Sequence, residues 1–239
     1  MLDENFASFV MPTIIESIGE KLESNAQIRE REWLKQRLGK FTASQAYRLL
    51  TYPNKSELPA GAITYVMEKV CEIATEYDES SGGFSSAAIQ WGRDHEVEAI
   101  EYFSDKMNYT VDAIGEDQKF VELEELNAGA TPDGLIGDDM LIEVKCPNST
   151  THLGYLNIKS EVDLKEVEPK YYWQMMFQFL VTNRTRGYFI SYDPRFKKED
   201  LKLHIAIINP NLDDISFLTT RLELARDYFN AVVKYRELA

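Results

Sequence analysis

Asp133, Glu143 and Lys145 fall within ATPDGLIGDDMLIEVKCP, residues 130–147. A strand that only packs uses branched apolar residues, and an unpartnered buried charge costs several kcal/mol. These charges are therefore either an exposed cross-strand ion pair beside a surface turn, or a site. Alternation along a strand puts Leu141, Glu143 and Lys145 on one face. Ile142, Val144 and Cys146 take the other, which is expected to be the core. A three-residue turn centred on Asp138 pairs Ile136 with Met140. The same register sets Asp133 opposite Glu143, with Cβ atoms roughly 5 Å apart. Two carboxylates that close repel unless a cation lies between them. Magnesium accepts one or two carboxylates together with waters and a substrate phosphate. Lys145, on the same face, can orient an attacking water and counter charge building on a phosphate. A metal, two carboxylates and a lysine suit phosphodiester hydrolysis.

Several elements must position these groups. QIREREWLKQRL, residues 27–38, has the spacing of a charged amphipathic helix. Thr42 is placed to cap a second helix over ASQAYRLL. TYPNKSELPAG reads as loop, AITYVMEKVCEIAT as helix, and EYDESSGGFSS as the most flexible interior stretch. Residues 87–107 form a long predicted helix with an apolar stripe on Ile89, Val97, Ile100 and Phe103. Four short β-rich segments then follow as a meander over about residues 109–146. EPKYYWQMMFQFLVTN returns to helical spacing, RGYFISYDP and LKLHIAIINP read as strands, and residues 211–239 close the chain with a long helix. The class is α/β or α+β, a central mixed sheet flanked by helices. No linker divides the chain, so a single domain over 1–239 is expected, with 1–25 as an extension.

Bulk composition sets limits. The 239 residues are 44% hydrophobic and suffice for one substantial core. No apolar run is long enough to span a membrane. The N-terminus MLDENFASFV is acidic where a secretory signal would be basic, which predicts a cytoplasmic protein. Cys71 and Cys146 match no zinc or iron–sulfur spacing and are expected to be free thiols. A net charge of -14 argues against a nucleic-acid binder taken as a whole. Affinity for DNA rests on local phosphate contacts, however, and RTRGYFISYDPRFKK is locally basic. His95, His152 and His204 are read as structural or exposed rather than as ligands.

With Asp133, Glu143 and Lys145 in place, the chain resembles the PD-(D/E)XK nuclease superfamily and, within it, the phage lambda exonuclease (YqaJ-type viral recombinase) family. Five blocks carry the resemblance: WLKQRLGKFTASQ, WGRDHEVEAIEYF, TPDGLIGDDMLIEVKCP, YYWQMMFQFLVT and GYFISYDPRF. It implies a restriction-endonuclease-like core and a magnesium site of two ions, with manganese as a substitute. Asp133 and Glu143 would hold metal with the Val144 carbonyl, and Glu96 would serve it directly or through water. Lys145 would position the water, and Gln174 would orient the nucleophile or the lysine. Arg37 and Ser44 would grip the 5′-terminal phosphate of a DNA end, at a turn entering a helix N-terminus.

By pattern alone Glu96 belongs to a solvated helix face with Glu98 and Glu101, and Gln174 to a hydrogen-bonded core. The family often has a second glutamine two residues after Gln174, where this chain has Met176. Gln178 is more than half a turn from Met176 and is not read as its substitute. The resemblance further implies a 5′→3′ double-strand DNA exonuclease. It would form a homotrimeric ring, work with a single-strand annealing protein, and come from a phage or prophage in a bacterial host. The alternatives are another nuclease of the superfamily, or a non-catalytic DNA-binding subunit on the same scaffold.

Overall fold

The computed structural model describes residues 25–50, 57–76 and 87–238. The expected extension before residue 25 lies outside them, as do 51–56 of the expected loop and 77–86 of the Gly/Ser-rich stretch. Helix α1, Asn25–Arg37, is found where spacing predicts 27–38. From Arg37 onward the chain forms one compact unit.

Strand β1, Phe41–Thr42, runs into a 3-10 helix, Ala43–Leu49, where an α-helix capped by Thr42 is expected. The Thr42 side chain makes no cap bond. Its backbone belongs to β1, and its N–H donates to the Tyr65 hydroxyl at 3.1 Å. The far end is fixed by the buried Arg221, whose Nε donates to the Leu49 carbonyl at 3.0 Å. A short segment tied at both ends adopts the tighter 3-10 pitch.

Helices α2, Ala60–Thr75, and α3, Ala87–Met107, follow. On α3 the buried stripe is Ala99, Ile100 and Phe103, whereas Val97, expected on it, is exposed. The Ile89 side chain lies outside the described residues. Glu96 stands four residues before Ile100 and seven before Phe103, so it extends that stripe by one turn.

The expected meander is instead divided between two sheets. Strands β2, Val121–Leu123, and β3, Ala128–Ala130, pair antiparallel, and β3 pairs parallel with β1. Strands β4, Gly134–Ile136, and β5, Met140–Lys145, form a hairpin in a second sheet. The chain changes sheets at Thr131-Pro132-Asp133, where proline cannot donate to a ladder. The stretch 109–116 makes only an isolated bridge, Asp112 with Leu135. It turns away at Ala113 and Gly115, both with positive φ.

The second sheet has the order β4-β5-β6-β7, with β6 at Arg186–Tyr192 and β7 at Leu203–Ile208. Strands β5 and β6 are parallel and the other pairs antiparallel, so the sheet is mixed as expected. The parallel crossover contains three helices: α4, Ser149–Tyr155, α5, Glu161–Val167, and α6, Pro169–Thr182. The first two have no counterpart in the sequence reading. Each is only 7 residues long, too short for a clear apolar period. Helix α7, Leu212–Arg236, closes the fold.

Both faces of β5 are covered, not one. Leu141 packs into the larger core with Met175 and Phe179 of α6, while Ile142 and Val144 pack with Ala99, Ile100 and Phe103 of α3. A central strand paired in parallel and roofed by helices on both sides has no solvent face. Among the described residues, no helix is long and apolar enough to cross a membrane.

Gly129, in the middle of β3, faces the Phe120 ring so closely that a Cβ would lie 2.0 Å from its Cζ. Gly129→Ala is therefore expected to destabilise the fold by about 1–3 kcal/mol through overpacking. Urea unfolding should show a lower midpoint with an unchanged slope.

Candidate active site

The β4–β5 hairpin sets the first two carboxylates. Its three-residue turn, 137–139, is anchored by Arg184, which donates to the carbonyls of Ile136, Gly137 and Met140. Register runs Ile136–Met140, Leu135–Leu141 and Gly134–Ile142, so Asp133 stands opposite β5 as expected. Its N–H donates to the Ile142 carbonyl at 3.2 Å, and its Oδ2 accepts from the Val144 N–H at 2.7 Å.

Glu143 is 0% exposed, because the face it shares with Leu141 lies under α6. Its Oε1 accepts from Gln174 Nε2 at 2.6 Å and from the Lys145 ammonium. Its Oε2 accepts from Gln178 Nε2 at 2.6 Å. Gln174 and Gln178 are four residues apart and so share one face of α6. Sequence reasoning missed Gln178 because it was compared with Met176 rather than with Gln174. Met176 is buried elsewhere, its sulfur near the Asn211 N–H. Charge-assisted bonds of this kind are what make a fully buried carboxylate tolerable.

Lys145 is enclosed against Tyr171, its Nζ 4.9 Å from the ring centroid. Burial disfavours its charge, but Glu143 and Asp133 outweigh that and hold it above the usual lysine range. Asp133 is pushed well above the carboxylate range by desolvation and then by Glu143. Glu96 is raised mainly by burial, with Lys145 opposing and Glu143 adding to the effect. Gln118, which the sequence did not single out, donates to Glu96 Oε1 at 2.8 Å. Glu96, Val144 and Lys145 line a cavity of about 800 Å³ together with Trp91, Tyr171 and Arg195.

The remaining predicted residues are placed as follows. Arg37 donates to Thr131 Oγ1 at 3.3 Å, two residues before Asp133. Ser44 is half-buried in the 3-10 helix, which packs on α6. The turn before it does not enter an α-helix, and the Phe41 and Thr42 N–H groups already have acceptors. His152 is buried between Ser191 Oγ and the Leu201 carbonyl, His204 bonds the Ile158 carbonyl, and His95 bonds Glu98. Both cysteines are free thiols. Burial pushes Cys146 up to about 12, which removes it as a nucleophile near neutrality.

Among the described residues, no three His, Cys, Asp or Glu side chains converge closely enough to cage an ion alone. Magnesium does not require that, since it takes one or two carboxylates and keeps several waters. Asp133 and Glu96, whose proton affinity Glu143 raises, form with Glu143 an anionic, hard-oxygen donor set around a single lysine. Such a set suits magnesium or manganese.

Asp133→Asn provides a stability test. A carboxylate whose folded pKa is raised contributes stability below its unfolded value, near 3.9, and loses it as pH rises through the folded value. Asparagine can still accept from Val144 but cannot ionise. The variant is expected to melt higher than the parent at pH 7–8 without metal, by on the order of a few degrees. The gap should close towards about pH 4 and narrow when magnesium stabilises the parent. Thermal scans across pH, with and without magnesium, measure both effects.

Residues 32–185 match the model of the YqaJ-like viral recombinase domain. No curated protein sequence gives a significant match. Two solved structures of the Laribacter hongkongensis alkaline exonuclease LHK-Exo, one in complex with dAMP, superpose with a TM-score of 0.71. They show 29% and 28% identity and cover 86% of this chain and 95% of theirs. A phage-related exonuclease from Haemophilus somnus shares the fold at a TM-score of 0.64 and 14% identity, covering 82% of this chain and 96% of its own. With the family model spanning well over half its length, the chain belongs to the YqaJ-like viral recombinase domain family.

Proposed function

We propose that this protein is a magnesium-dependent exonuclease that digests linear double-stranded DNA 5′→3′ from phosphorylated ends and leaves a 3′ single-stranded tail. The observation that carries the reading is the cluster of a buried Glu143 with the half-buried Asp133 and Lys145, beside a cavity lined by Lys145 and Glu96. The likeness to LHK-Exo supports it.

Lys145 keeps its proton through the neutral and alkaline range, because its anionic neighbours hold it above the usual lysine value. It therefore acts as a fixed cation and donor, orienting the attacking water and countering charge on the phosphate, rather than as a base. Gln174 and Gln178 fix the Glu143 carboxylate, and Gln118 fixes Glu96. Magnesium held by Asp133, Glu143, the Val144 carbonyl and Glu96, as one ion or two and with manganese as a substitute, would polarise the scissile phosphate. Arg37 and Ser44 would take the 5′-phosphate, Arg37 being steadied by Thr131 beside the strand that delivers Asp133. The reading includes a single nuclease domain, a homotrimeric ring around DNA, and an annealing protein that receives the tail in a bacterial cytoplasm.

Linear duplexes bearing 5′-phosphate or 5′-hydroxyl ends test this. The parent with magnesium should release mononucleotides from phosphorylated ends, and chelation should stop it. Lys145→Ala should bind duplex but turn over about 10²- to 10³-fold more slowly. Arg37→Ala should lose the preference for a 5′-phosphate. Cleavage of circular duplex at the linear rate, or a Lys145→Ala rate equal to the parent's, would contradict the proposal.

A further inference from the structure

The cavity holds a second arrangement that the hydrolytic roles do not use. On its wall, the Arg195 guanidinium lies over the Trp91 ring, 4.4 Å from the centroid. Its edge is fixed. Nε donates to Asp193 Oδ1 at 2.7 Å, and Nη2 donates to Asp193 Oδ2 at 3.0 Å and to the Pro147 carbonyl at 3.2 Å. Asp193 is itself fully buried in the turn after β6, so the anchor does not move with solvent. Trp91 is held from a second direction by His95, whose ring centroid is 4.0 Å away. The indole N–H is buried and has no acceptor among the described residues. Its ring is held between the Arg195 guanidinium and the His95 imidazole rather than by a hydrogen bond at the indole nitrogen.

Arg195 nevertheless keeps 46% of its side chain exposed. A salt bridge alone would leave a guanidinium free to swing, and an arginine serving only as a phosphate cation would not be neutralised by a bidentate buried carboxylate. With Nε and Nη2 bonded and one face on Trp91, the guanidinium keeps its other face and its Nη1 end for a ligand. Flat cationic and aromatic surfaces stack nucleobases with little regard to sequence, because every base offers a π face. Trp91 and Glu96 also share α3, five residues and about 7.5 Å of rise apart. Because Trp91, Arg195, Glu96 and Lys145 line one cavity, a base on the Trp91–Arg195 wall shares its space with the hydrolytic groups.

We infer that Trp91 and Arg195 form the stacking platform for one nucleobase in the cavity, next to the hydrolytic groups. The identity of the ligand as a nucleotide rests on the proposed nuclease function, but the test reads binding and needs no turnover. Calorimetry of the full chain with magnesium compares dAMP with deoxyribose 5-phosphate, which has the same phosphate and no base. The parent should bind dAMP about tenfold more tightly. Arg195→Lys keeps the charge and loses the plane, and both it and Arg195→Ala should bring that ratio below about twofold. Trp91→Phe, which retains an aromatic face, should keep most of it. Equal binding of the two ligands by the parent, no binding of dAMP, or a preference that survives in Arg195→Lys would overturn the inference. A parent that binds dAMP with this preference yet hydrolyses no DNA would instead overturn the nuclease proposal and leave the platform standing.

Discussion

A fully buried carboxylate is the constraint on which the rest of this structure depends. Glu143 has no access to solvent, and an isolated ion there would cost several kcal/mol. Its two oxygens are met by Gln174, Gln178 and Lys145, each of which must be delivered accurately. That delivery comes from β5 itself and from α6. The parallel pairing of β6 with β5 requires a long crossover, and that crossover lays α6 over the Glu143 face.

The same arrangement explains why stability and site chemistry oppose each other here. Asp133 and Glu96 sit in the field of Glu143 and are held towards their protonated forms. One lysine does not balance three carboxylates, so the fold carries an electrostatic cost that a bound cation would relieve. The basic stretch following α6 is also less available than its composition suggests. Arg184 is spent on the carbonyls of the hairpin turn, and Arg195 is tied to Asp193. A count of positive charges would overstate the track open to phosphates.

Pattern alone revealed the hairpin turn from its Gly-Asp-Asp residues, the register that sets Asp133 against β5 by counting from that turn, and the long helices α3, α6 and α7 from a period extending over many residues. It did not reveal that both faces of β5 are buried, since the strand alternates as a half-exposed one would and the covering helices are remote in sequence. Helices α4 and α5 were too short to show a period. Thr42 looked like a cap because its strand partner, Gly129, is 87 positions away. Gln178 was legible had the four-residue spacing from Gln174 been followed. Glu96 likewise stood on the stripe of Ile100 and Phe103, and only its company with Glu98 and Glu101 suggested a solvated face. Gln118 carried no local signal, because its role depends wholly on where the loop after residue 109 returns to α3.

Crystals grown with manganese and a short 5′-phosphorylated duplex, examined by anomalous scattering, give the most direct measure of whether the acidic cluster around Glu143 is a metal centre. The account predicts a manganese peak within ligand distance of both Asp133 and Glu143, with the terminal phosphate beside it. Anomalous density only at surface carboxylates, with Glu143 still bonded to Gln174 and Gln178 and Asp133 turned away from any ion, would contradict it.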